Sequence, residues 1–169
     1  LHGIRKEVAT VIAVTSEYAL RAAVYLAQCH PTQCTTAEIA AATQVPAGYL
    51  SKIMQSLVRA GVVTSQRGLG GGFHLSKSPG SISVLDVIVA MGAPMGRIHH
   101  CPLGLSTHTK LCRLHRLVDD AAKQMEEIFG SATLSSLLPG DSGIEPLCEV
   151  SKASPSRRAK AVQSIKSKE

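Results

Sequence analysis

The sequence predicts a mainly α fold with a small β-hairpin wing: a winged helix-turn-helix domain followed by a long C-terminal dimerisation helix. Three observations carry this. Two short apolar-faced helices are separated by a turn of about four residues, a β-prone stretch with a glycine-rich tip follows at once, and a heptad-spaced helix stands near the C-terminal end. Composition agrees. The 169 residues are 44% hydrophobic but only 3% aromatic, with no Trp. The core must therefore be Ala, Val, Leu and Ile, which suits closely packed helices.

Ser16 is placed to cap a first helix with an apolar face of Tyr18, Ala19, Ala22, Ala23, Leu26 and Ala27, and His30-Pro31 ends it. Thr35 and Glu38 have the spacing of a capping box that opens a second helix through Ile39, Ala40 and Ala41. Thr43 to Pro46 is a break. A third helix then runs on Leu50, Ile53, Met54, Leu57 and Val58 to Gly61, with Ser51, Lys52 and Gln55 on its polar outer face. Val62 to Ser65 reads as a strand, Arg67 to Gly72 as a loop and Phe73 to Leu75 as the return strand. Ser83 caps a short helix from Val84 to Met91, ended by Gly92-Ala93-Pro94. An irregular stretch, Met95 to Lys110, leads into a helix whose apolar positions Leu111, Leu114, Val118, Ala121, Met125 and Ile128 form a heptad seam. Such a helix has little of its own small domain to cover it, so a symmetric partner is the expected cover. An apolar turn follows from Leu134 to Leu138, and Pro139-Gly140 closes the folded part.

The resulting division is an N-terminal extension (1–14), the winged domain (15–92), a Cys/His segment (93–110), the dimerisation helix with its short follower (111–138) and a basic tail (139–169), expected to be disordered. The net charge of +6 is concentrated in that tail: residues 152 to 169 hold six Lys/Arg against one acid. No apolar run approaches the roughly 18 residues of a membrane span, and Val8 to Val14 is a poor secretory leader with Glu7 at its mouth. Five cysteines without the spacings of a disulfide scaffold point to a reducing compartment, the cytoplasm. Cys29, Cys34 and Cys148 are read as structural. The glycine run 68–72 does not open a helix, as a dinucleotide-binding turn must, and is read instead as a hairpin tip able to approach a phosphate backbone.

Tyr49-Leu50-Ser51-Lys52-Ile53, Ala60-Gly61-Val62-Val63, Ser65, Arg67-Gly68, Gly70-Gly71-Gly72-Phe73 and the opening Thr15-Ser16-Glu17-Tyr18-Ala19 resemble the IscR, NsrR and CymR family of bacterial winged-helix transcription regulators. The resemblance runs in order from about residue 15 to residue 138. It implies a homodimer on a partly palindromic double-stranded DNA operator, acting as a repressor. Tyr49 and Ser51 would lie at the start of the recognition helix, Lys52 and Arg67 would make phosphate or groove contacts, and Gly70 would let the wing approach the backbone. Ser51 stands where the IscR branch has a base-reading acid, so operator preference does not transfer from that branch.

Members that bind an iron-sulfur cluster use three cysteines before the long helix. Cys101 matches the first, and Cys112-Arg113-Leu114-His115 resembles the last with the histidine of the IscR branch. The middle cysteine is missing; Thr107 and His108 stand there. The ligand set the resemblance implies is therefore Cys101, His108, Cys112 and His115, for a [2Fe-2S] cluster sensing redox state, iron or nitric oxide. Zinc, a cluster-free thiol switch of Cys101 and Cys112, and no sensing role stay open beside it. Two rival classes stand beside this reading. A metal-dependent enzyme would need a general base, and the segment offers no carboxylate before Asp119; a winged-helix protein-interaction module is permitted by the net +3 of residues 15 to 77.

Overall fold

The computed structural model describes residues 11–68, 70–93, 96–104 and 110–139. Helix α1 (Val14–Cys29) buries Ala19, Ala22, Ala23, Leu26 and Ala27 completely or nearly so. Small side chains on that face let three further helices and the C-terminal turn pack closely around it. The helix starts two residues before the expected cap. Ser16 shares the face of Ala19 and Ala23, so burial of that face carries the helix through it. Its hydroxyl is buried and has no hydrogen-bond partner among the described residues.

Helix α2 (Thr36–Thr43) opens with the expected capping box: Thr35 accepts from the Glu38 amide, and the Glu38 carboxylate accepts from the Thr35 amide at 2.7 Å. Gln44 takes a left-handed turn (φ 54°), and Pro46 precedes α3 (Ala47–Arg59), which buries Leu50, Ile53, Met54 and Leu57. Gly61, at φ +72°, ends α3 in a Schellman motif: its amide donates to the Val58 carbonyl and the Val62 amide to the Leu57 carbonyl, each at 3.0 Å. That motif claims Val62, so the wing strand starts one residue later than the sequence suggested. Strands β1 (Val63–Gln66) and β2 (Gly72–Leu75) pair antiparallel, with Val63 opposite Leu75 and Gln66 opposite Gly72. The hairpin is anchored to the start of the helix-turn-helix through Cys34, whose amide and carbonyl both pair with Phe73, at 2.9 and 2.8 Å.

Helix α4 (Val84–Ala90) carries a second capping box, Ser83 with Asp86. Helix α5 (Arg113–Ser131) then runs to the C-terminal turn Leu134–Leu137. This turn is part of the winged-domain core and not an appendage of α5. The Val84 amide donates to the Ala132 carbonyl, the Leu134 amide to the Ile82 carbonyl, and Leu134 is fully buried among core residues. His108 and the segment 139–169, apart from Pro139, lie outside the described residues, as do residues 1–10.

Candidate DNA-binding face and cysteine-histidine cluster

Helix α3 presents an outer row of polar residues because its apolar positions recur at i, i+3, i+4 and i+7. Ser51 and Lys52 are exposed on it. Tyr49, at its first turn, is 57% exposed, and its ring forms an edge-to-face pair with that of Tyr18, the centroids 6.3 Å apart. Tyr18 is in turn covered by the Arg21 guanidinium, which is paired with Glu17. This stack fixes Tyr49 from behind and leaves its outward side available.

On the wing, Arg67 is exposed and Gly70 holds φ +85°. Gly70 is thus required by the turn itself, a reason separate from close approach to a ligand. A cleft of about 620 Å³ separates α3 from the wing root and brings Gln55 and Arg59 of α3 to the same depression as Ser65 and Arg67. Arg59 carries no binding signal in the sequence alone. Its position at the last turn of α3 gave only a helix-end signal, and the fold of the hairpin is what brings it opposite Arg67.

The second cluster lies where α5 begins. Cys112 is the residue before the helix and His115 is in its first turn, so both point to the same side, where Cys101 meets them. His115 Nδ1 is 3.2 Å from Cys112 Sγ and 3.4 Å from Cys101 Sγ, and the three donor atoms lie within 4.8 Å of one another. All three residues are half-buried. Two sulfurs and one imidazole suit soft or borderline metals, zinc and iron-sulfur centres among them, and are a poor match for calcium or magnesium. The set therefore fits the implied group with one coordination position still to be filled. Asp119, one turn after His115, is not a spare ligand. Its carboxylate accepts from Arg97 Nε and Nη2 at 2.8 and 2.9 Å and from the Ile98 amide at 2.8 Å. The same contacts hold its carboxyl well below the usual carboxylate range, Arg97 contributing most.

Along α5, Asp119, Ala122 and Phe129 turn toward the protein's own body, with Ala122 buried and Gly130 close to Leu85 of α4. The opposite side is apolar and open: Leu114, Leu117, Val118 and Ile128 are exposed, joined by Ala121. The heptad seam thus falls mostly on the uncovered side. Leu117 belongs there too, a position that strict heptad counting passes over. Leu111 precedes the helix, and both it and Met125 are only half-buried.

A family model described as Rrf2, iron-dependent transcriptional regulator, matches residues 12–140. The chain belongs to the Rrf2 family. A protein of Aquifex aeolicus assigned as an HTH-type transcriptional regulator is 30% identical over 128 residues, covering 73% of this chain and 88% of its own. Among solved structures, CymR, the global cysteine regulator of B. subtilis, superposes with a TM-score of 0.64 at 25% identity, covering 76% of this chain and 95% of its own. IscR of T. potens gives 0.63 at 25% identity, covering 77% and 87%. As an Rrf2 protein the chain is a DNA-binding transcription regulator with a winged-helix fold, and not an enzyme. No helix among the described residues is long and apolar enough to cross a membrane.

Proposed function

We propose that this Rrf2 protein is a homodimeric, sequence-specific repressor working on bacterial double-stranded DNA in the cytoplasm, and that it senses redox state, iron or nitric oxide at Cys101, Cys112 and His115. The observation that carries the reading is the convergence of those three donor atoms at the start of α5, the helix whose other side is an uncovered apolar face. A ligand group seated there ties the 96–104 segment to the helix that joins the two subunits. Sensing and the spacing of the two DNA-reading domains then share one element.

Tyr49, Ser51 and Lys52 on α3 and Arg67 with Gly70 on the wing make the DNA contacts in this reading; their exposure and the cleft between the two elements support it. Leu114, Leu117, Val118, Ala121 and Ile128 form the dimer seam, flanked by Leu111 and Met125. For the sensor, Cys101 and Cys112 bind as thiolates and His115 as neutral imidazole, with His108 the candidate for the remaining position. A [2Fe-2S] cluster would supply a one-electron redox couple there, whereas zinc would supply only a structural cross-link.

Anaerobic purification with iron, sulfide and zinc analysis tests the sensor. Coloured protein containing sulfide, both lost in Cys112→Ser while the winged domain stays folded, is the expected result. Zinc without sulfide makes the site structural. Colourless, metal-free protein whose DNA binding responds to mild oxidation and recovers with thiol moves sensing to a Cys101 and Cys112 thiol switch. Indifference to metal, oxidant and nitric oxide alike rules out sensing at this site. Transcription from a template carrying a site that the protein selects from random double-stranded DNA tests repression: added protein should lower the transcript.

A further inference from the structure

The cleft between α3 and the wing root has two halves of different chemistry. Its floor is apolar: Val58 of α3 and Phe73 of β2 line it, both half-buried and packed against the core. The floor is also held in place. The Phe73 amide and carbonyl both pair with the Cys34 backbone, and a Cβ at Gly72 would come within 2.6 Å of the Cys34 carbonyl oxygen, so that part of the wall is bare backbone. The rim is basic. Arg59 at the end of α3 and Arg67 on the wing are both exposed there, and none of the described residues lining the cleft is acidic. Arg59 Nη2 donates to the Ser56 hydroxyl of its own helix at 3.1 Å, and neither guanidinium has a carboxylate within ion-pair distance among the described residues. Glu38, the acid next along the chain from the cleft residues Thr35 and Thr36, is committed to the Thr35 amide and hydroxyl at 2.7 and 2.8 Å.

We infer that this cleft is a binding site for a small organic acid, a carboxylate on an aromatic body. The carboxylate sits between Arg59 and Arg67, whose planar forks match its two oxygens. The ring lies on Phe73 and Val58, where it removes apolar surface from water and meets the Phe73 ring. Each half of such a ligand answers one half of the site. A backbone phosphate answers only the arginines, and a neutral ring answers only the floor. The volume of about 620 Å³ falls in the usual range of small-molecule pockets, which are mostly apolar with a few placed polar groups.

Occupancy of the cleft acts on DNA binding through Arg67. A side chain engaged by the acid is withdrawn from DNA, so the two ligands compete, and a ligand bridging α3 and the wing also fixes the separation of the two elements. This competition rests on the DNA-contacting role proposed above for Arg67. Binding of the acid itself does not.

The first test needs no DNA. The full chain is titrated with hydrocinnamate and followed by amide NMR shifts, the largest of which should fall at Val58, Arg59, Ser65 and Phe73. Hydrocinnamamide, the same ring without the charge, and inorganic phosphate, charge without the ring, should each bind about tenfold or more weakly than the acid. Arg59→Gln, on an exposed side chain, should weaken hydrocinnamate by about tenfold or more and leave hydrocinnamamide unchanged. Absence of binding, shifts confined to the apolar side of α5, equal binding of the amide or of phosphate, or full affinity in Arg59→Gln overturns the site. The competition is then read on double-stranded DNA that the protein selects from a random pool. Hydrocinnamate at about ten times its dissociation constant should weaken DNA binding about tenfold in the wild type and not in Arg59→Gln. Unchanged DNA affinity at that concentration overturns the competition. DNA binding absent from the outset counts against the function proposed above, and the titration without DNA still decides the cleft.

Discussion

Arg97 and Asp119 form a two-pronged ion pair that fastens the segment carrying Cys101 to α5, the helix carrying His115. The Ile98 amide adds a third donor to the same carboxylate. Neither residue is placed to bind a metal. Their contribution is to keep two separately encoded parts of the cluster in register.

Asp119→Asn should therefore weaken cobalt or zinc binding by about tenfold or more, the scale of outer-sphere effects on metal sites. The pH dependence has a definite sign. Because the folded carboxyl sits below its ordinary value of about 3.9, the stability it contributes is present above that value and is lost as pH falls through the lower folded one. The difference in thermal midpoint between wild type and Asp119→Asn should be full near pH 6 and should narrow below about pH 4. A difference that persists unchanged in acid would show that the pair is not the cause.

Arg67→Ala should cost about 1 to 3 kcal/mol of specific DNA binding without affecting the fold, since the side chain lies on the open wing. Lys52→Ala should instead flatten the dependence of binding on salt, the mark of a lost phosphate contact. Both are read from titrations at matched ionic strength. Wild-type affinity in Arg67→Ala would remove the wing from the DNA-reading surface.

Val118→Asp places a charge on the open apolar side of α5. Burying it unpaired costs several kcal/mol, so dimer dissociation should rise by about 100-fold or more. Analytical ultracentrifugation reports this directly. An unchanged dimer would put the subunit contact on another face.

Leu134→Ala should destabilise the whole domain by about 2 to 5 kcal/mol, as expected for a fully buried leucine. Urea unfolding measures it. A loss below about 1 kcal/mol would separate the C-terminal turn from the cooperative unit.

Local signals were legible in the sequence wherever residues close in the chain determine the outcome. The Thr35 and Glu38 capping box, the apolar face of α3, the Gly61 stop and the hairpin all depend on neighbours within about one or two helical turns; the first three stand where periodicity and turn chemistry put them, and the hairpin strands lie within one residue of their expected bounds. Cys112 and His115 were likewise readable as one-sided, because residues three positions apart at a helix start share a face. What depended on packing between distant segments was decided only by the tertiary structure. Ser16 has the chemistry of a cap but is drawn into the core by its place beside Ala19 and Ala23. Leu134 returns to the winged domain through a backbone pairing with Ile82. Asp119 is taken from the cluster by Arg97. Periodicity states which side of a helix is apolar; which neighbour covers that side is set by long-range contacts whose closure entropy and burial no short window of sequence contains.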